Sequence, residues 1–499
     1  MGVKSTRDLW GPRREGDVAM ATRTKDAYTK SLQDGRMVYY KGERVGDVTS
    51  HPILKTAVEH AALEYELTED PTHHDLLTYT LPGRQEPFSR YFKIPENAED
   101  LLRRRAIIEL GTRAGGTFFL IIKEIGSDCL FALNVISQRI DAKYGTNYHE
   151  RVMRYYEHCR DHDLAMAVAQ TDVKGDRSLH PHQQEHPDYY VRIVDETRDG
   201  IVVRGAKAHT TNTVCANELM VIPTRTLGPE DQEYAVAFAV PMDAKGLKLI
   251  VSPFSHTDHN TFHHPVSARH HLLETLTIFD DVLVPWDRVF LKGEWDFAGP
   301  LALTFVQFHR FTAVSYKAPL LDFLVGAAEL AAEANGIRRA AHVREKLVKL
   351  IAYAETVRAL TKAAAWECKI LDGRIAVPDP VTTNMAKWYF ANNFHQHIAY
   401  LQDIAGGLLV TGPAEEDVKN PETAGYISKY LGGKKGVPTE DRLRLFNLIR
   451  DLTTSDIGGY NEILSIHAEG SLEAQKLTIA AEYDTKPSVE YVKGLIGLG

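Results

Sequence analysis

Apolar residues recur at spacings of three and four along "HPILKTAVEHAALEYEL" (51–67), so one face is apolar and a helix is predicted. The same period runs through "AEDLLRRRAIIELGTRAGGTFFLIIKEIGSDCLFALNVISQRIDAKYG", which reads as two helices broken at Gly115-Gly116. From about residue 166 the texture changes. "YYVRIVDETRDGIVVRGAKAHTT" is strand, turn, strand, with Asp199-Gly200 as the hairpin signal. "EYAVAFAVPM" and "LETLTIFDDVLVP" are further strand-like runs ended by prolines. From about 295 the helical period returns. "PLLDFLVGAAELAAEANG" closes on the helix stop Asn335-Gly336, and "HVREKLVKLIAYAETVRALTKAAAWECKIL" predicts one helix of about eight turns. "NNFHQHIAYLQDIAGGLLV" predicts another. The order α, β, α predicts an α+β fold: an N-terminal helical domain (1–165), a central β domain (166–294) and a C-terminal helical bundle (295–499).

A chain of 499 residues with 44% hydrophobic and 25% charged residues has the composition of a soluble globular protein. Its net charge of −9 argues against nucleic acid as a partner. No apolar run is long enough to span a membrane, and the first residues lack the apolar core of a signal peptide. Gly2 fits the loose myristoylation pattern, which is read as an ordinary start. The four cysteines, Cys129, Cys159, Cys215 and Cys368, form no close pair, so neither a disulfide framework nor a cysteine-rich metal site is expected and a reducing cytoplasm fits. "HPHQQEHP" (180–187) and "HHPVSARHH" (263–271) lack cysteine or a firm carboxylate pattern and are read as solvated loops. "LGGKKG" (431–436) lacks the strand–helix context of a phosphate loop.

"QTDVKGDRS" (170–178) is polar and falls where helical and β segments meet. Its amides and hydroxyls suit the polar edge of a flat heterocycle. The plainer reading is a turn with Asp176 and Ser178 bonding locally. That loop, together with "YTKSLQDGRMVYYKGERVGDVTSHP" (28–52), "KYGTNYHERV" (143–152), "GIVVRGAKAHTTNTVCANELMVIPT" (200–224), "EDQEYAVAFAVP" (230–241), "FDDVLVPWDRVFLKGEWDFAG" (279–299) and "DIAGGLLVTGP" (403–413), resembles one superfamily. It contains the 4-hydroxyphenylacetate 3-monooxygenases and the 4-hydroxybutyryl-CoA dehydratases, flavoproteins of acyl-CoA-dehydrogenase-like fold.

The resemblance implies that Gln170, Thr171, Arg177 and Ser178 lie against FAD, with Arg177 offering charge to its phosphates or to a partner carboxylate. It implies that the small residues around His209, Thr210 and Thr211 let the backbone approach the ring, and that the two threonines donate to it. Asp403, Gly406 and Gly407 would approach the cofactor of a neighbouring subunit in a homotetramer. The dehydratase branch holds an iron–sulfur cluster on three cysteines and a histidine. The matching positions here are about Leu120 and Glu124, then Tyr316, with His309 and Lys317 retained, so no metal cluster is expected. The monooxygenase branch takes reduced FAD from a separate reductase, forms a flavin C4a-hydroperoxide with O₂, and grips a phenol. Its grip positions match Ile125, Cys129 and Val168, all without the family's polar groups.

The candidates for an altered substrate grip are therefore His309, Arg310, Tyr316 and Lys317 in "QFHRFTAVSYK". Glu274 joins them, because it matches a dehydratase glutamate near the substrate. The expected function is a two-component, FAD-dependent monooxygenase acting on an aromatic or electron-rich small molecule. The alternatives are a cluster-free dehydratase or isomerase of a CoA thioester, and a non-catalytic flavin-binding scaffold.

Overall fold

The computed structural model describes residues 22–254, 259–371 and 374–498. The Gly2 pattern lies outside them. The N-terminal region runs α1 (Lys25–Ser31), β1 (Met37–Tyr40), β2 (Glu43–Val45), α2 (Leu54–Glu69), α3 (His74–Leu77), β3 (Thr78–Thr80), β4 (Pro87–Ser89), α4 (Ala98–Ala114), α5 (Glu124–Tyr144) and α6 (Tyr148–Asp161). Local chemistry sets its helix ends. Asn97 caps α4 by accepting from the Asp100 amide, ahead of acidic Glu99 and Asp100. Gly145, left-handed at φ 69°, stops α5.

The middle holds β5 (Met166–Ala169), β6 (Arg192–Glu196), β7 (Gly200–Thr211), β8 (Glu218–Val221), β9 (Val236–Pro241), β10 (Leu247–Val251), β11 (Glu274–Pro285) and β12 (Val289–Lys292). They build a six-stranded sheet, β2-β1-β10-β11-β7-β6, and a four-stranded sheet, β12-β9-β8-β5. One apolar core, including Val38, Ile201, Leu219, Phe238 and Phe279, joins both sheets. β1 pairs parallel with β10. The large sheet thus reaches across residue 165 and recruits residues 37–45, which the pattern assigned to the helical domain. Two short strands carry too little period to announce themselves.

The C-terminal region is α7 (Ala298–Ala334), α8 (Ala341–Trp366), β13 (Lys369–Leu371), β14 (Ile375–Val377), α9 (Pro380–Ala405), α10 (Leu408–Thr411), α11 (Glu415–Lys419), α12 (Ala424–Tyr430), α13 (Thr439–Thr453), α14 (Asp456–His467), α15 (Leu472–Glu482) and α16 (Lys486–Leu495). α7 to α9 pack around Leu324, Leu350, Phe390 and Phe394. α8 ends five residues before its apolar pattern does, because Lys369–Leu371 pairs with Ile375–Val377 as a small ladder. No helix among the described residues is long and apolar enough to cross a membrane.

The helical and β parts are fastened by close approach. A Cβ on Gly126 of α5 would lie 2.4 Å from Met166 Cβ, so only glycine lets α5 sit this near β5. Beside that contact, fully buried Lys123 meets Asp163 at 2.7 Å and Glu64 at 3.2 Å. Its amine also lies 4.0 Å from the Tyr65 ring centroid.

Candidate active site

Residues 115–123 strap α4 to α5 with left-handed backbone at Gly116, Thr117 and Ile121. The strap is held by the Met166 amide donating to Ile122 O at 2.6 Å and by Asn212 Nδ2 donating to Leu120 O at 3.3 Å. Asn212 also exchanges backbone and side-chain bonds with Leu273, so the strap, the end of β7 and the start of β11 are tied together. α7 and α14 close over this junction. Phe119 lies 4.1 Å from the Tyr316 ring, centroid to centroid, in an apolar cluster with Ala313 and Leu272. Phe254 stacks on Tyr460 at 4.4 Å at its edge.

Polar atoms without a protein partner in these walls include Thr117 Oγ1 of the strap and one oxygen each of Glu274 and Tyr316. Glu274 begins β11 opposite Thr211. Its Oε1 accepts from Tyr460 Oη at 2.7 Å and Thr211 Oγ1 at 2.8 Å. Its Oε2 is buried and accepts nothing. Burial pushes the Glu274 carboxyl up to about 7, against the two hydrogen bonds that lower it. Tyr316 Oη is likewise buried and unpaired. A carboxyl poised near neutrality beside an apolar wall can hold or move a proton.

His309 lies on the same helix, two turns from Tyr316, and faces α5. Its Nδ1 is 3.4 Å from Asp128 Oδ2, and its ring stacks on Phe305 at 5.3 Å. Asp128 is in turn bound by Arg104 at 2.7 Å and Thr312 at 3.0 Å. Asp128 was not legible in the chain, because its partners, Arg104 on α4 and His309 and Thr312 on α7, stand on other helices.

Arg310 is not part of this junction. Its guanidinium donates to Glu469 O, Asn384 Oδ1 and Thr478 Oγ1, so it serves the packing of α7 against α9 and α15. Lys317 lies on that side too, with its amine 4.6 Å from the Tyr316 ring and 5.3 Å from that of Phe390 on α9. The positions without a polar grip are apolar in the fold as well: Cys129 and Val168 are core residues and Ile125 packs against the core.

The loop at 170–178 lies along β7, with an isolated bridge from Asp172 to Lys207. Gln170 O accepts from Lys207 Nζ at 2.8 Å, and Thr171 O accepts from the Ala208 amide at 2.8 Å. Ser178 donates to Asp176 Oδ1 at 2.7 Å, the local turn its sequence allows. The loop turns through left-handed Lys174 and Gly175. A Cβ at Gly175 would fall 2.3 Å from the Tyr189 ring. Across from the loop, β7 carries a bulge between its pairings with Thr275 and Thr277. The bulge leaves His209 left-handed and exposed.

Partial desolvation of its ring, then the neighbouring groups Lys174, His467 and Arg177, lowers the His209 pKa. Burial, Arg177 and Arg225 lower that of Lys174. Lys174, Arg177 and Arg225 are thus close enough to act on one another and on His209, and neither Lys174 nor Arg177 has a carboxylate within ion-pair distance among the described residues. This donor set fits the phosphates of a dinucleotide. Thr210 departs from expectation: its hydroxyl is enclosed in a ladder with Thr275 and Thr277, both at 2.6 Å, leaving Thr211 as the outward member.

Asp403, Gly406 and Gly407 mark the end of α9, where Gly406 is left-handed and Asp403 pairs with Lys346. Within one chain they meet the helical bundle and not the 170–178 loop; Asn335 Nδ2 donates to Ile404 O and Ala405 O. The three positions of cluster cysteines do not fit an iron–sulfur group. Leu120 is buried apolar, Glu124 Oε2 accepts from the Lys123 amide, and the Tyr316 ring packs tilted against that of Phe119. Among the described residues no group of three or more His, Cys, Asp or Glu side chains is placed to hold a metal ion.

Two family models cover almost the whole chain: 4-hydroxyphenylacetate 3-hydroxylase N terminal over residues 24–291 and C terminal over 298–497. The chain belongs to the 4-hydroxyphenylacetate 3-hydroxylase family. Members with different reactions are equally similar. The 4-hydroxybutyryl-CoA dehydratase/vinylacetyl-CoA-Δ-isomerase of Clostridium aminobutyricum is 32% identical, over 95% of this chain and 99% of that protein. The 4-hydroxyphenylacetate 3-monooxygenase oxygenase component of Thermus thermophilus is also 32% identical, over 92% of this chain and 94% of that protein. The crystal structure of an oxygenase component of 4-hydroxyphenylacetate 3-monooxygenase, complexed with FAD and 4-hydroxyphenylacetate, superposes with a TM-score of 0.87 at 30% identity. That match covers 95% of this chain and 98% of the other. The shared architecture is the acyl-CoA-dehydrogenase-like one.

Proposed function

We propose that this chain is the oxygenase component of a two-component monooxygenase that uses reduced FAD and O₂ on an aromatic or electron-rich small molecule. The observation that carries the reading is the pairing of two features. A cationic loop-and-bulge edge suits a dinucleotide, and beside β7 an apolar junction bears the unpartnered oxygens Glu274 Oε2 and Tyr316 Oη. Lys174, Arg177 and His209 would hold the cofactor's phosphates, and Thr211 its polar ring edge. Bound in reduced form, FAD supplies the two electrons that split O₂ between the substrate and water. The chain's own residues do the rest. Phe119, Phe254 and Leu272 exclude water. Glu274 accepts the substrate's hydroxyl or N–H, and His309, held against Asp128, exchanges a proton with it. A flavin reductase is the separate partner, and the end of α9 reaches a neighbouring subunit in a homotetramer.

The test supplies reduced FAD with O₂ and a panel of phenols. Product carrying one ¹⁸O atom from ¹⁸O₂, with a matching fall in hydrogen peroxide, is expected. Peroxide equal to the O₂ consumed with every phenol would remove the oxygenase reading.

The identity to the dehydratase of Clostridium aminobutyricum, with His309, Lys317 and Glu274 in matching places, favours one second reading, a CoA-thioester dehydratase or isomerase that works without a cluster. Anaerobic conversion of 4-hydroxybutyryl-CoA or vinylacetyl-CoA by protein with iron well below one atom per chain would establish it.

A further inference from the structure

Next to that junction, a buried seam between α7, α9, α14 and α15 holds the basic side chains of Arg310, Lys317 and Lys387 with Glu469 as their carboxylate. Arg310 and Lys317 lie seven residues apart on one face of α7, and Lys387 faces them from α9. Glu469, just after α14, is the carboxylate of the seam, and its side chain is 2% exposed. It is reached through left-handed backbone at Glu469 and Gly470, and a Cβ on Gly470 would lie 2.8 Å from Arg310 Nη2.

That single carboxylate serves one cation. Glu469 Oε2 lies 3.3 Å from Lys387 Nζ, while Arg310 takes only the Glu469 main-chain oxygen. Lys317, 2% exposed, makes no hydrogen bond or ion pair among the described residues; aromatic faces are what its amine meets. Donors without acceptors accompany it. Asn461 Nδ2 is buried and unpaired, and one turn on, Ser465 Oγ on the same face of α14 is too. Ser465 O is already taken by Lys387 at 3.0 Å. Burial, then Lys387, holds the Lys317 amine well below its usual range; burial, then Arg310, brings Lys387 down to about 7.

We propose that this seam is a binding site for one small monovalent inorganic anion of chloride or bromide size, held by Lys317 with donors from α14. Buried charges are tolerated when paired, and an unpaired buried cation is strongly destabilising. The unpaired positions of the seam include ammonium, amide and hydroxyl donors, with Gln475 Oε1 on α15 an unpaired acceptor beside them. The amine meets the rings of Tyr316 and Phe390, so the unpaired donors are few, which suits a compact ion more than a multiply charged phosphate that would need more of them. The site shares the Tyr316 ring with the junction but does not rest on the oxygenase reading or on its cofactor edge.

The experiment follows thermal unfolding of the full chain at constant ionic strength while chloride or bromide replaces gluconate. A saturable rise in Tm with either halide is expected, and crystals grown in bromide should show an anomalous peak within about 4 Å of Lys317 Nζ, the range of an ion contact. Lys317→Met keeps the length of the side chain and removes the charge. It should fold without halide and lose the halide-dependent rise, since an apolar replacement of a buried charge is tolerated. The proposal is overturned by an identical Tm in all three anions, by a bromide peak elsewhere only, or by a halide response that survives in Lys317→Met.

Discussion

Removing the Tyr460 hydroxyl should move the ionisation of a residue on another element. Tyr460 of α14 donates to Glu274 Oε1 at 2.7 Å, and the Glu274 carboxyl stands at about 7 because burial outweighs that bond and the one from Thr211. A hydrogen bond to a charged acceptor is worth about 1.5–3 kcal/mol, and one pKa unit corresponds to about 1.4 kcal/mol. Tyr460→Phe should therefore raise the Glu274 pKa by about one to two units. The sign for stability follows from proton binding. Between the ordinary carboxylate range and about 7, folded Glu274 keeps a proton that the unfolded chain has released. Stability therefore falls as pH rises through that window and this contribution levels off above it. In Tyr460→Phe the fall continues for another one to two units, roughly, costing about 1.5–3 kcal/mol more at pH 9 than at pH 6. Urea unfolding of parent and variant from pH 5 to 9 at constant ionic strength measures this. A variant whose stability deficit is the same at every pH would refute the reasoning, because the lost bond would then not discriminate between carboxyl and carboxylate.

Three further outcomes follow from the same geometry. His309→Ala should bind FAD as the parent does yet lose about 10²-fold or more in product formation, with peroxide in place of product; full coupling of O₂ to product in the variant would make His309 a packing residue. Arg177→Ala should weaken FAD binding by roughly ten- to a hundredfold, and less so in high salt, whereas Thr210→Val should leave it unchanged because that hydroxyl is enclosed by Thr275 and Thr277; equilibrium dialysis of both variants separates the two roles. Lys123→Met should destabilise by about 3–5 kcal/mol at pH 7, since it strands Glu64 and Asp163 in the core; urea unfolding of parent and variant at pH 7 checks it.

Strong local period and specific words made much of this protein legible in one dimension. The breaks at Gly115-Gly116 and Asp199-Gly200, the stop at Asn335-Gly336 and the α, β, α order follow from backbone preferences and from faces that must be buried whatever their partner. The family was readable from loops such as "QTDVKGDRS", and the positions lacking cluster thiols needed only counting. What the chain could not show were relations between side chains distant in sequence. Strands at 37–45 entered the central sheet because β10 presented an open edge, a fact of neighbours and not of period. The fate of each candidate was decided the same way. Tyr460, 186 residues from Glu274, fixes its Oε1. Asp128 faces His309 from another helix, Glu469 and Asn384 draw Arg310 away from the junction, and Thr275 closes over Thr210. Hydrogen bonds and desolvation act over a few ångströms in space. Sequence sets which groups are available, and only the packed fold sets which of them meet, which are left without a partner, and therefore which can work.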